Sequence, residues 1–173
     1  IIDTVHANKI TDLIVGIHHK ANIVDTFLGG TITSLINSSY NQNLIIYGPK
    51  KPINSVKRLV VAVPQMAELE IGFDIWFDRI KNIASQLSIP IVFYANKVTT
   101  AALKKQCEIH SSLNVSFREL ASWEDFLIIS KHIKHGDTLI VITARKATLS
   151  YNNLFEKIPY YLNKYFADHN FLL

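Results

Sequence analysis

The chain is poor in the residues that build several kinds of site. A single cysteine, Cys107, stands among its 173 residues, so no internal disulfide can form, and a reducing compartment suits it. Glycine is scarce at six residues, and the second half of the chain has only Gly136, which leaves few places for a glycine-rich phosphate loop. No apolar run approaches the roughly 18 residues needed to cross a hydrocarbon core. The longest, Leu139 to Ala144 and Ile89 to Ala95, are strand-sized, so no direct membrane span is expected in this fragment and it is expected to be soluble by itself. The opening Ile1-Ile2-Asp3 has none of the basic, apolar and small-residue regions of a signal peptide.

Hydrophobic residues make up 49% of the chain, with nine Phe and seven Tyr, which is ample for a packed core of one large or two small domains. The 18 Lys and Arg exceed the 14 Asp and Glu, giving a formal charge of +4. The basic residues are dispersed, apart from small groups at Lys50-Lys51, Lys57-Arg58 and Lys104-Lys105. A dedicated nucleic-acid binder concentrates them on one face or stripe, so no nucleic-acid partner is expected. Weak positive charge suits an anionic membrane surface at least as well.

The chain repeats itself out of phase. Asp12-Leu13-Ile14-Val15 followed by Lys20-Ala21 returns about 126 residues later as Thr138-Leu139-Ile140-Val141 followed by Lys146-Ala147, and Asn43-Leu44-Ile45-Ile46 returns as Asn170-Phe171-Leu172-Leu173. A period this long points to duplicated domains and not to a solenoid. The division expected is the C-terminal part of a first unit over residues 1–48, a linker rich in turn formers over 49–55, and a complete second unit over 56–173.

In the first part the pattern predicts a helix remnant, a strand at Asp12 to Ile17, a helix at about Gly29 to Ser38 and a strand at Asn43 to Tyr47. In the second it predicts strands at Arg58 to Val63, Ile89 to Ala95, Val115 to Leu120, Thr138 to Thr143 and Asn170 to Leu173. Helices are expected at about Glu70 to Leu87, Thr99 to His110, Ser122 to Ile133 and Leu154 to Phe166. Phe73, Phe77, Ile80, Ala84 and Leu87 recur at three and four residues, as one buried helix face requires. Ser122 offers an N-cap oxygen, with Asp125 at the third helical position, and Gly136 ends the element. The strands are continuous apolar runs, the mark of a parallel sheet buried on both faces. Strand and helix alternate, so the fold class expected is α/β, a flavodoxin-like or Rossmann-like doubly wound five-stranded parallel sheet, with its ligand crevice beyond the strands' carboxyl ends.

Residues with catalytic potential are few. His132 and His135 lie one turn apart, but no Cys or carboxylate stands at ligand spacing, so surface histidines are expected and no metal. Cys107 reads as a small buried hydrophobe. Glu68, Glu70, Asp74 and Asp78 read as a wet helix face, and no nucleophile motif is present. The chain is therefore not expected to be an enzyme. Tyr160-Tyr161 and Tyr165-Phe166 cover more than one side of the last helix, so some should be core and the rest available to a partner.

The glycines of the first part carry a resemblance. The stretch from Asp12-Leu13-Ile14-Val15-Gly16 through His19 to Leu28-Gly29-Gly30-Thr31 resembles, in length and in glycine placement, the G-x2-G-x9-G-[S/T] loop of the universal stress protein family, which is adenine nucleotide alpha hydrolase-like in fold. Glycines at a helix N-terminus present unpaired N–H groups to phosphate oxygens. The resemblance implies Gly16, Gly29, Gly30 and Thr31 as a degenerate nucleotide loop; no cofactor is expected, adenine nucleotide being the one alternative the loop admits. His19 replaces the loop's second glycine, and Gly30 stands where a hydroxyl belongs. In the second unit the matching loop, Thr143 to Tyr151, has no glycine, Glu156 would repel a phosphate, and Pro64 stands where family members place an Asp near the nucleotide.

The last third, from Leu139-Ile140-Val141-Ile142-Thr143-Ala144-Arg145-Lys146 through Ser150-Tyr151-Asn152-Asn153-Leu154-Phe155-Glu156-Lys157-Ile158-Pro159 to Tyr165-Phe166, resembles the cytoplasmic C-terminal region of bacterial monovalent cation (Na+/H+) antiporters, especially those of Bacteroides-like bacteria. That resemblance implies a non-catalytic, universal-stress-protein-like regulatory domain on the cytoplasmic side of the inner membrane. Its partners would be the transmembrane transport domain of the same polypeptide and a second copy, by homodimer or unit-to-unit pairing, and it would modulate transport through pairing or ligand sensing. Two other classes remain open: a free-standing tandem universal stress protein that binds ATP, and a nucleic-acid or membrane-surface adaptor using the basic linker.

Overall fold

The computed structural model describes residues 10–17, 43–109 and 114–173, and the helices expected before Asp12 and over Gly29 to Ser38 lie outside them. Seven strands are described: β1 (Asp12–Gly16), β2 (Asn43–Gly48), β3 (Arg58–Ala62), β4 (Ile91–Ala95), β5 (Val115–Glu119), β6 (Asp137–Val141) and β7 (Asn170–Leu172). The α-helices are α1 (Phe73–Leu87), α2 (Lys97–Ile109) and α3 (Ile158–Tyr165). All seven strands join one mostly parallel sheet in the order β1-β2-β7-β6-β3-β4-β5. The run β7-β6-β3-β4-β5 is parallel throughout, β1 is parallel to β2, and β2 meets β7 antiparallel.

Each strand of the centre carries two apolar faces. Val60, Ala62, Val92, Tyr94, Leu139 and Val141 pack to one side with Phe126, Ile158, Leu162 and Phe166. Leu59, Val61, Ile91, Phe93 and Ile140 pack to the other with Phe77, Ile80, Ala84 and Leu103. The period of two that separates these sets is the strand's own. Helices α1 and α2 therefore cover one face, and α3 with the segment after β5 covers the other. Phe77, Phe93 and Phe117 stack in series at centroid distances of 6.0 and 5.8 Å, carrying the core out to the edge strand.

Two expected helices are tighter than α. Trp123–Lys131 is a 3-10 segment, and its buried residues Trp123, Phe126 and Ile129 recur every three positions, the repeat of a 3-10 helix. Ser122 caps it as expected, accepting from the Glu124 N–H at 3.4 Å. The last helix opens with a 3-10 turn, Asn153–Lys157, and becomes α only at Ile158 with Pro159 in its first turn, where the missing N–H costs nothing. Helix α2 starts at Lys97, ahead of the expected Thr99, because the Asn96 side chain accepts from the Thr99 N–H at 2.8 Å.

Other expectations need correction. The strands of the first part are not buried on both faces, since Ile14 is 67% exposed and no described strand lies beyond β1. The expected linker is anchored: Asn170 Oδ1 accepts from the Lys50 and Lys51 N–H groups at 2.6 and 2.7 Å, and its Nδ2 donates to the Lys51 carbonyl. Gly136 adopts φ of +92°, a conformation that favours glycine, and its carbonyl accepts from the Lys57 N–H at 2.8 Å.

Candidate functional site

The carboxyl ends of the five parallel strands are where an α/β sheet offers its crevice. Here the chain fills that end with its own side chains. β3 stops at Ala62, Val63 and Pro64 follow buried, and a short 3-10 turn, Ala67–Leu69, precedes α1. Met66 enters that turn at φ of +63°. Glu68 and Glu70 therefore sit in the loop after β3, not on a helix face as expected, because the helix begins at Phe73 after Gly72.

Three side chains of this loop lace it to its neighbours. Gln65 Nε2 donates to the Ala121 carbonyl after β5 at 2.8 Å. Glu68 Oε2 accepts from Thr99 Oγ1 at 2.7 Å, and Thr99 is wholly buried at the start of α2. Glu70 Oε1 accepts from both the N–H and the hydroxyl of Ser150 at 2.7 and 2.8 Å, in the loop after β6. Burial pushes the Glu70 carboxyl up, but the hydrogen bonds from Ser150, Thr148 and Leu149 outweigh it and hold the group below the usual Glu value. A carboxylate kept ionised by fixed donors is a poor general base at neutral pH, and its lone pairs are already engaged.

The loop after β6 is the stretch that the sequence repeat aligns with Lys20-Ala21, and the Glu70 carboxylate takes donors there. Lys146 pairs with Glu156 at 2.7 Å on the exposed surface, so the two charges offset each other at this loop. Tyr151 also donates to Glu156, at 3.2 Å.

What these bonds hold up is apolar. Ile71 is 98% exposed, Leu149 64%, Leu69 61% and Met66 49%, and Val98 beside Thr99 is 67% exposed. Leu69, Ile71 and Leu149 stand on the two loops that the Glu70–Ser150 bonds join, and Val98 precedes Thr99, which Glu68 holds, at the same end of the sheet. Exposed apolar residues gathered on braced loops mark a contact surface more than scattered ones do. The sequence signal was slight: acidic residues two apart ahead of a glycine, bonded to partners 31 and 80 residues away.

The other expected site residues fall elsewhere. Gly16 ends β1 at an exposed position, and a side chain there would meet open space among the described residues. Gly29, Gly30 and Thr31, with His19, lie outside the described residues. His132 stacks on Tyr94, His135 Nε2 meets Lys51 Nζ, and no group of three or more His, Cys, Asp or Glu able to hold a metal occurs among the described residues. Cys107 is half-buried against the α1 and α2 face, and burial pushes its thiol up, disfavouring the thiolate. No helix among the described residues is long and apolar enough to cross a membrane. Comparison with protein-family models, curated proteins and solved structures finds no match.

Proposed function

We propose that this chain is a non-catalytic regulatory and interaction domain, universal-stress-protein-like in its second unit, that belongs to a cation/proton antiporter and adjusts transport by pairing with a second copy. The observation that carries the interaction role is the carboxyl end of the sheet, where Glu68 and Glu70 brace an apolar surface of Leu69, Ile71 and Leu149 in the place where a ligand crevice would open. The non-catalytic reading is supported by Glu68 and Glu70, which bond to neighbouring loops and helices. Membership of an antiporter rests on the resemblance of residues 139–166, and localisation on the cytoplasmic side of the inner membrane follows from it.

Sedimentation equilibrium tests the pairing. The chain should form a dimer that Ile71→Glu with Leu149→Glu converts to monomer, and a wild-type chain that stays monomeric at the highest concentration reached would refute it. The parent reading frame tests the antiporter assignment. About ten apolar segments of roughly 20 residues upstream support it, and a start codon shortly upstream without them returns the reading to a free-standing tandem stress protein.

A further inference from the structure

Lysines gather at one end of the sheet. At the amino end of the parallel strands the loop after β2 carries Lys50 and Lys51, the entry to β3 carries Lys57, and the segment between Trp123 and β6 ends with Lys131 and Lys134. The backbone ties these stretches to one another: Lys57 N–H donates to Gly136 O, Lys50 and Lys51 N–H donate to Asn170, and Lys51 Nζ meets His135 Nε2. None of the five lysines is in an ion pair among the described residues. Asp137, the buried carboxylate of this end, is taken by Arg58 and by the Lys134 N–H, which leaves Asp168 and, beyond β4, Glu108 as its exposed acids. The opposite end mixes both signs: Glu68, Glu70, Asp74, Glu119, Glu124, Asp125 and Glu156 stand there with Lys97, Arg118, Arg145, Lys146 and Lys157.

We propose that the amino end of the sheet is a docking face for an anionic phospholipid surface. Lysines on loops joined at one end of the sheet, none in an ion pair among the described residues, gain about 1 kcal/mol each near an anionic leaflet. Short loops around a sheet end offer no helix or ribbon to enter a groove, which sets this face apart from a duplex reader. Helix α3 runs toward the same end, so Tyr165 at its C-terminus lies closest to it, more than two-fifths exposed, with Lys164 Nζ 5.3 Å from its ring centroid. Tyrosine rings with an apolar body and a polar tip settle at headgroup depth. Binding through this face points the apolar carboxyl end away from the lipid, free for the second copy. The inference stands on the charge distribution and does not require the antiporter reading.

Co-sedimentation with vesicles tests it. The chain should bind vesicles of phosphatidylglycerol and phosphatidylcholine in equal parts, ignore pure phosphatidylcholine, and dissociate at about 0.5 M salt. Charge reversal at Lys50, Lys57 and Lys134 should weaken the partition at least about tenfold, whereas reversal at Lys97, Lys146 and Lys157, toward the carboxyl end, should change it by about twofold or less. Circular dichroism verifies that each variant folds, and the corresponding Lys→Gln variants replace any that does not. Equal loss in both variants would reduce the effect to net charge and overturn the assigned face. Binding to pure phosphatidylcholine, or tighter retention on duplex DNA than on vesicles at the same salt, would overturn the lipid assignment.

Discussion

Ile46 and Leu173 exchange both of their backbone hydrogen bonds, at 2.9 and 3.0 Å, across the only antiparallel seam of the described sheet. They are also each other's counterparts in the sequence repeat, 127 residues apart. The register agrees on either side: Asp12 faces Asn43 in β1 and β2, and Thr138 faces Asn170 in β6 and β7, with the next two pairs matching likewise. A pair that is its own equivalent marks a local two-fold axis, so the strand pairs β1-β2 and β6-β7 meet as an isologous contact does, within one chain. A strand edge that would otherwise invite association is thereby covered.

The seam has a steric requirement at Gly48. A Cβ on this buried glycine would run into the ring of Phe171, itself fully buried, so Gly48→Ala should cost about 1–3 kcal/mol by overpacking. Ile46→Ala, at a site 4% exposed, should cost about 2–4 kcal/mol. Ile14→Ala, on the exposed β1, should change stability by about 0.5 kcal/mol or less. Urea unfolding of the three variants gives the comparison, and equal effects at Ile14 and Ile46 would remove the distinction between seam and edge.

Removing the Glu70 carboxylate leaves the buried Ser150 N–H and hydroxyl without their acceptor, a loss of about 1–3 kcal/mol for Glu70→Ala. Hydrogen exchange should accelerate at Ser150 while the β3 amides keep their protection. Uniform acceleration would mean that the bond supports the whole fold and not the loop.

Asp137 is 4% exposed at its side chain, accepts from Arg58 Nε at 3.1 Å and makes a close second contact with Arg58 Nη2. Asp137→Ala should cost about 3–5 kcal/mol, because it strands a partly buried guanidinium and the Lys134 N–H. Thermal melting measures this, and a shift no larger than that of a surface substitution would contradict the pair's structural role.

Asp12 gives the pH dependence. The Arg79 hydrogen bonds, with help from Asn43 and Thr11, bring its carboxyl from 3.8 down to about 2. A folded-state value below the unfolded one stabilises above the unfolded value and is lost as pH falls, so the contribution is present above about pH 4 and disappears toward pH 2. Asp12→Asn should flatten the fall of the urea midpoint between pH 4 and 2. An unaltered acid limb would show that the pair contributes nothing.

The strands were legible because three central ones are buried on both faces and read as unbroken apolar runs, Leu59 to Val61 and Phe93 among them. The α1 face was legible from its spacing, with Phe73, Phe77, Ile80 and Ala84 all buried. Boundaries and helix type were harder. Pro159 moves the start of α3, and a three-residue recurrence in Trp123, Phe126 and Ile129 is compatible with either helix until packing decides. Glu68 and Glu70 were misread because their partners are far away in sequence and only the fold brings Thr99 and Ser150 to them. The basic end was hidden for the same reason: lysines dispersed along the chain converge only when the stretches before β3 and β6 come together.

The central claim is that the chain's own carboxylates occupy the end of the sheet where a nucleotide would bind, and titration calorimetry with Mg-ATP addresses it most directly. The account predicts no saturable heat from the wild-type chain. Saturable binding that Leu149→Glu abolishes would place a nucleotide against the loop after β6 and contradict it.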